Sequence, residues 1–87
     1  MQVTVRLYST LREKLPPEKR GVATLDLPPA STLKDLLTVL GIDIKVVCSI
    51  NGQVEQELSV GLQEGDEVRI FRPSAGGSRR FKFISLH

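Results

Sequence analysis

Thr32-Leu33-Lys34-Asp35-Leu36-Leu37-Thr38-Val39-Leu40-Gly41 carries the clearest periodicity in the chain. Leu33, Leu36, Leu37 and Leu40 follow the i, i+3, i+4, i+7 spacing that gathers apolar side chains on one helical face. Thr32 suits the N-cap, and Asp35 stands three residues on, the arrangement of a capping box. The Asp35 charge also favours the positive N-terminal end of the helix dipole. Gly41 fits the C′ position, where a left-handed residue closes a helix. The spacing predicts one amphipathic helix over 32–40, whose leucine stripe needs an apolar surface to cover.

Strands on both sides supply that surface. Residues 2–8 alternate, with Val3, Val5 and Leu7 on one side and Gln2, Thr4, Arg6 and Tyr8 on the other, as a half-buried strand requires. Ser9 to Leu15 follows. Leu11 and Leu15 are four apart, which predicts one or two helical turns capped by Ser9 or Thr10 and stopped by Pro16-Pro17. Residues 21–27 alternate again, placing Ala23, Leu25 and Leu27 together, and Pro28-Pro29 ends that strand. Beyond the helix, residues 46–50 (Val-Val-Cys-Ser-Ile) predict a more buried strand. Asn51-Gly52 is the strongest hairpin signal in the chain. Gln53 to Glu57 is the expected return strand. Leu58 to Leu62 is a connection with room for a short helical turn, and Glu64-Gly65-Asp66 is a turn. Residues 67–71 form the last strand, limited by Pro73. The order predicts an α+β fold, a mixed sheet of four to five strands with one main helix packed on one face.

Eighty-seven residues hold one small domain and no second core. Cys48 is the only cysteine, and the only histidine is the last residue, His87. No internal disulfide is possible, and a zinc cluster or a Ser/His/Asp or Cys/His catalytic group is not expected. Cys48 falls in a predicted buried strand and reads as a core thiol. No run approaches the roughly 20 apolar residues of a membrane span. The opening Met1-Gln2-Val3-Thr4-Val5-Arg6 has neither a basic leader nor an apolar run, so a cytoplasmic chain is expected.

The chain has 12 basic and 10 acidic residues. Three of the basic residues, Arg79, Arg80 and Lys82, lie in residues 78–87, which contain no acidic residue. Residues 1–77 therefore carry 9 basic and 10 acidic side chains, a formal net of −1, which argues against a nucleic-acid footprint. Ser74-Ala75-Gly76-Gly77 marks the boundary between a domain at 1–77 and a basic extension at 78–87. By composition that boundary reads as a linker.

Three segments resemble the small subunit of molybdopterin synthase, a ubiquitin-like sulfur carrier. They are Val5 to Glu13, the hairpin Ser49-Ile50-Asn51-Gly52, and the run from Leu62 through Glu64-Gly65-Asp66-Glu67-Val68 to Pro73-Ser74-Ala75-Gly76-Gly77. The resemblance covers about residues 1–77 and implies a β-grasp fold. It implies that the carboxyl group of Gly77 is adenylated by a ubiquitin-activating-type enzyme using ATP. A sulfur donor, such as a cysteine desulfurase or a rhodanese, then converts it to a thiocarboxylate. The arm delivers sulfur inside the large subunit of molybdopterin synthase. The chain would be a sulfur donor with no active site of its own, and no bound cofactor or metal is implied.

The residue types suit that chemistry. Residues 73–77 span roughly 15 Å at about 3.3 Å each, and Gly76 and Gly77 let a thin backbone enter a narrow pocket. As part of the arm, Ser74, Ala75 and Gly76 would bind the partner. Phe71 alternates with Val68 and Ile70, so it is expected to point outward, either as a partner anchor or over a minor cluster at the sheet edge. Arg12 matches a family arginine associated with partner contact, and by itself reads as a solvated helix charge. Two features depart from the family pattern. Ten residues follow Gly77, so Gly77 has no free carboxylate until 78–87 are removed. Arg72 stands where an apolar residue or proline is usual. Sulfur carriers of other pathways (thiamin, cysteine or tRNA thiolation), tagging of lysines through the Gly77 carboxylate, and a β-grasp binding module with Gly-Gly as a linker are the alternatives.

Overall fold

The computed structural model describes residues 1–73. Among them lie five strands and one α-helix: β1 (Gln2–Leu7), β2 (Val22–Asp26), α1 (Leu33–Leu40), β3 (Val47–Ile50), β4 (Gln53–Glu55) and β5 (Glu67–Phe71). Two short 3-10 helices, Ser9–Lys14 and Pro17–Lys19, join β1 to β2. The strands form one mixed sheet in the order β2-β1-β5-β3-β4. β1 pairs antiparallel with β2, and β3 pairs antiparallel with both β4 and β5. The central pair, β1 with β5, is parallel, with Thr4 opposite Glu67 and Leu7 opposite Ile70. The expected plan of one helix and a sheet of four to five strands is met with five.

Alternation decides which face is buried. Val3, Val5 and Leu7 of β1, Val68 and Ile70 of β5, and Cys48 of β3 form one cluster with Leu33, Leu36, Leu37 and Leu40 of α1. Leu33, Leu36, Val5, Val68 and Ile70 have no exposed surface. The helix ends follow the sequence signals. Thr32 Oγ1 accepts a hydrogen bond from the Asp35 amide at 3.2 Å, and Asp35 Oδ2 accepts one from the Thr32 amide at 2.9 Å. Gly41 adopts φ 74°, ψ 26° and donates its amide hydrogen to the Leu37 and Thr38 carbonyls. At the β3–β4 turn both Asn51 (φ 52°) and Gly52 (φ 88°) take the positive dihedrals of a tight hairpin. The Asn51 side chain also bridges to the turn before β5. Its Nδ2 donates to Asp66 Oδ1 and its Oδ1 accepts from the Glu67 amide, both at 2.9 Å.

Several expectations need correction. The segment Ser9–Lys14 is a 3-10 helix with no side-chain cap from Ser9 or Thr10. Its bonds run over three residues (Leu11 amide to Tyr8 carbonyl, Leu15 amide to Arg12 carbonyl), and Pro16 holds Leu15 extended where the segment ends. β4 stops at Glu55 and does not continue to Glu57. The stretch 58–62 forms one hydrogen-bonded turn (Val60 amide to Glu57 carbonyl, 3.3 Å) and no helix. Instead the Leu58 and Val60 carbonyls accept from the Lys34 and Leu33 amides, and Gly61 bridges to Thr32. The connection thus satisfies first-turn amides of α1 that have no partner within the helix. β2 and β3 are slightly shorter than expected, beginning at Val22 and Val47.

The core assignment has a direct test. Leu36→Ala should cost about 3 kcal/mol, through lost burial and the cavity left behind. Thr32→Ala should cost about 1 kcal/mol through the cap. Urea unfolding with an unchanged slope measures both, and a loss at Leu36 no larger than at Thr32 would contradict the packing described.

Candidate functional site

The parallel pairing of β1 and β5 sends both strands out at the same end of the sheet. After Leu7 the chain enters the first 3-10 helix; after Phe71 it continues through Arg72 and Pro73. Residues 8–10 consequently hold residues 70–72. The Tyr8 amide donates to the Ile70 carbonyl at 3.3 Å. The Tyr8 and Phe71 rings stack with centroids 4.6 Å apart and planes 13° from parallel. Arg72 Nη1 donates to Thr10 Oγ1 at 2.9 Å. The root of the C-terminal segment is therefore fastened by a backbone bond, an aromatic pair and a side-chain bond.

Phe71 does sit on the face opposite Val68 and Ile70, which are buried on the helix side. It is half-buried against Tyr8 and is not a freely projecting ring. Arg12 is exposed on the 3-10 helix and lines two adjoining surface hollows. Ser74, Ala75, Gly76 and Gly77, and the extension 78–87, lie outside the described residues.

The open sheet face next to this root is charged. Glu67, the first residue of β5, accepts from Arg6 Nε at 2.7 Å through Oε2 and from Arg69 Nη2 at 3.3 Å through Oε1. Arg6 and Arg69 are register partners on adjacent strands, so without Glu67 two like charges would face each other. The hydrogen bond from Arg6, with the smaller pull of Arg69, holds the Glu67 carboxyl below the usual carboxylate range, while desolvation acts the other way. Cys48 is 2% exposed in the core, and burial pushes its thiol up to about 11, so it stays protonated and unreactive at neutral pH.

Among the described residues no group of three or more His, Cys, Asp or Glu could hold a metal ion, and no helix is long and apolar enough to cross a membrane. The sequence reading singled out Phe71 and noted Arg72 as a departure. Tyr8, Thr10 and Glu67 join the site only through the fold. Tyr8 continues the outward alternation of β1, as Glu67 and Phe71 do that of β5, but only the parallel register brings those positions together.

A five-stranded mixed sheet with a parallel central pair and one helix across it is the β-grasp, ubiquitin-like architecture. The chain belongs to the ThiS family, whose model matches residues 5–77, a ubiquitin-like sulfur-carrier family. No curated protein sequence matches it significantly. Solved structures share the fold. SAMP1 from Haloferax volcanii is 19% identical, with 88% of this chain and 100% of that chain covered and a TM-score of 0.68. A protein assigned as molybdopterin converting factor subunit 1 from Pyrococcus furiosus is 18% identical over 85% and 99% of the two chains, with a TM-score of 0.65. A chain in the complex of subunits 1 and 2 of molybdopterin-converting factor from Helicobacter pylori is 22% identical over 88% and 100%, with a TM-score of 0.57.

The Glu67 clamp makes stability depend on pH. A carboxyl group with a lowered pKa in the fold contributes stability above its unfolded pKa, and that contribution fades as pH falls through the folded value. Glu67→Gln should therefore be less stable than the parent at neutral pH, with the gap closing in acid. Unfolding midpoints measured from pH 7 down through the carboxylate range test this, and a gap independent of pH would exclude the ion pair as its cause.

Proposed function

We propose that this chain is a sulfur carrier, the small subunit of molybdopterin synthase, which donates sulfur from a thiocarboxylate at Gly77. The observation that carries the reading is the ThiS-family match, which runs through Gly77 and stops there. The fastened root at Tyr8–Phe71 and Thr10–Arg72 suits an arm that must present its end to other proteins.

The chemistry runs in four steps. Water first adds across the Gly77–Ser78 peptide bond, leaving a carboxylate on Gly77 and an amine on Ser78. The carboxylate then attacks the α-phosphate of ATP on a ubiquitin-activating-type enzyme, releasing pyrophosphate. A persulfide on a donor such as a cysteine desulfurase or rhodanese then attacks the acyl carbon and displaces AMP, and a second thiol of the donor or activating enzyme cleaves the resulting acyl disulfide, leaving the thiocarboxylate and a protein disulfide. Finally the sulfur passes to the acceptor in the large subunit. The Helicobacter pylori structure, a complex of subunits 1 and 2, supports a large-subunit partner of this kind. In this scheme charge stabilisation during adenylation comes from the enzyme partner. Gly77 is the reacting residue, Ser74, Ala75 and Gly76 lie along the partner's channel, and Phe71 and Arg12 contact partner surfaces. The cytoplasm is the compartment, and neither membrane nor nucleic acid takes part.

A second reading is favoured by one neighbour. The Haloferax volcanii protein is a small archaeal modifier protein, and a Gly77 carboxylate could likewise be joined to lysines. One experiment separates the two readings. Residues 1–77 and the full chain are each incubated with a ubiquitin-activating-type adenylating enzyme, ATP and a sulfide source, and the intact masses are compared. The shorter chain should gain the mass of sulfur replacing oxygen, and the full chain should not. Failure of 1–77 to react would overturn the carrier role, while isopeptide-linked Gly77 in cell extracts would favour tagging.

A further inference from the structure

Two adjoining hollows lie beside the sheet end, the first of them reaching Tyr8. The first, about 220 Å³, is lined by Arg6, Arg12 and Arg20 together with Leu7 to Ser9, Gly21 and Val22. The second, about 370 Å³, is lined by Glu13, Leu15, Pro16 and Pro17. Arg12, Arg20 and Gly21 line both. The first hollow has no acidic lining residue. Arg6 is engaged by Glu67. Among the described residues Arg12 and Arg20 have neither an ion-pair partner nor a side-chain hydrogen bond.

The placement of Arg12 is built into the backbone. Gly21 takes φ +78°, and a Cβ there would meet the Leu7 carbonyl oxygen at 2.7 Å, Arg12 Cγ at 3.0 Å and Arg12 Nε at 3.1 Å. The Arg12 stem and guanidinium therefore lie across a position that only glycine leaves open. The Gly21 carbonyl accepts from the Leu7 amide at 2.7 Å, which ties this crossing to β1. Arg20 is held in a left-handed conformation (φ 54°) by the end of the second 3-10 helix.

We propose that this paired hollow docks an acidic segment of a partner protein, with a carboxylate between Arg12 and Arg20 and an adjacent apolar side chain over Leu15, Pro16 and Pro17. Three features select that occupant. Unpaired guanidinium groups call for an anion with two acceptor oxygens. The proline-lined groove gives a free phosphate nothing to cover, whereas a peptide carries both chemistries side by side. Residues 1–73 hold 9 basic and 10 acidic side chains, so no long-range field draws in a polyanion such as RNA. This docking extends the partner contact proposed above for Arg12 by adding Arg20 and the proline groove, and it does not depend on sulfur chemistry at Gly77.

The test uses the full chain labelled with ¹⁵N and titrated with the acetylated tetrapeptide Asp-Leu-Glu-Phe. Its Asn-Leu-Gln-Phe analogue and inorganic phosphate serve as comparisons. Saturable shifts confined to residues 6–22 are expected, with a dissociation constant on the order of 1 mM. Binding should weaken about five- to tenfold in an Arg12→Gln, Arg20→Gln double variant, a loss in line with two exposed ion pairs. The single variant Arg20→Gln, at an exposed position, should give a partial loss if the double variant folds poorly. Lys34→Gln on α1 should bind as the parent does. Equal binding of the amide analogue, shifts elsewhere on the surface, no saturable shift, or an equal response to phosphate would each overturn the proposal.

Discussion

The parallel ladder between β1 and β5 is the contact on which the rest of the molecule depends. It joins residues 4–7 to residues 67–70 in the middle of the sheet, with antiparallel hairpins on either side. Its inward side chains, Val5 and Leu7 against Val68 and Ile70, are the floor that α1 covers. Its outward side chains include Arg6, Glu67 and Arg69, where one carboxylate keeps two guanidinium groups from facing each other unscreened. Because the strands run the same way, the exit of β5 lies beside the start of the first 3-10 helix. That adjacency makes the Tyr8–Phe71 and Arg72–Thr10 contacts possible.

The local elements were legible because each has a self-contained cause. The leucine spacing of α1, the Thr32–Asp35 box and the Gly41 closure depend only on residues within ten positions of one another. The Asn51-Gly52 hairpin is equally local. Elements whose ends are decided elsewhere were less legible. β4 ends at Glu55 because the following residues turn to serve the first amides of α1, a partnership between residues 58–61 and 32–34 that no periodicity announces. The segment Ser9–Lys14 carries helical spacing and forms a 3-10 helix, which apolar spacing alone does not distinguish from an α-helix.

The candidate site divides in the same way. The run from Gly65 to Gly77 was recognisable as a motif, and the family match covers it. The side chains that fasten its root come from the other end of the chain, and only the sheet register brings Tyr8 and Thr10 to them. Gly21 gives no signal of its own in the sequence. Its necessity follows from the closeness of the Leu7 carbonyl and the Arg12 side chain, which is a property of the folded crossing.

The join between the first strand and the last bears on how the molecule is made. Translation delivers β1 first, and its partner in the sheet centre emerges roughly sixty codons later. Until then Val3, Val5 and Leu7 have only the β2 hairpin and the leucine face of α1 for cover, and the middle of the sheet stays unfilled. Closure of such a distant pair spends chain entropy before any contact repays it. The globule therefore completes itself only after nearly all of its own length has left the ribosome.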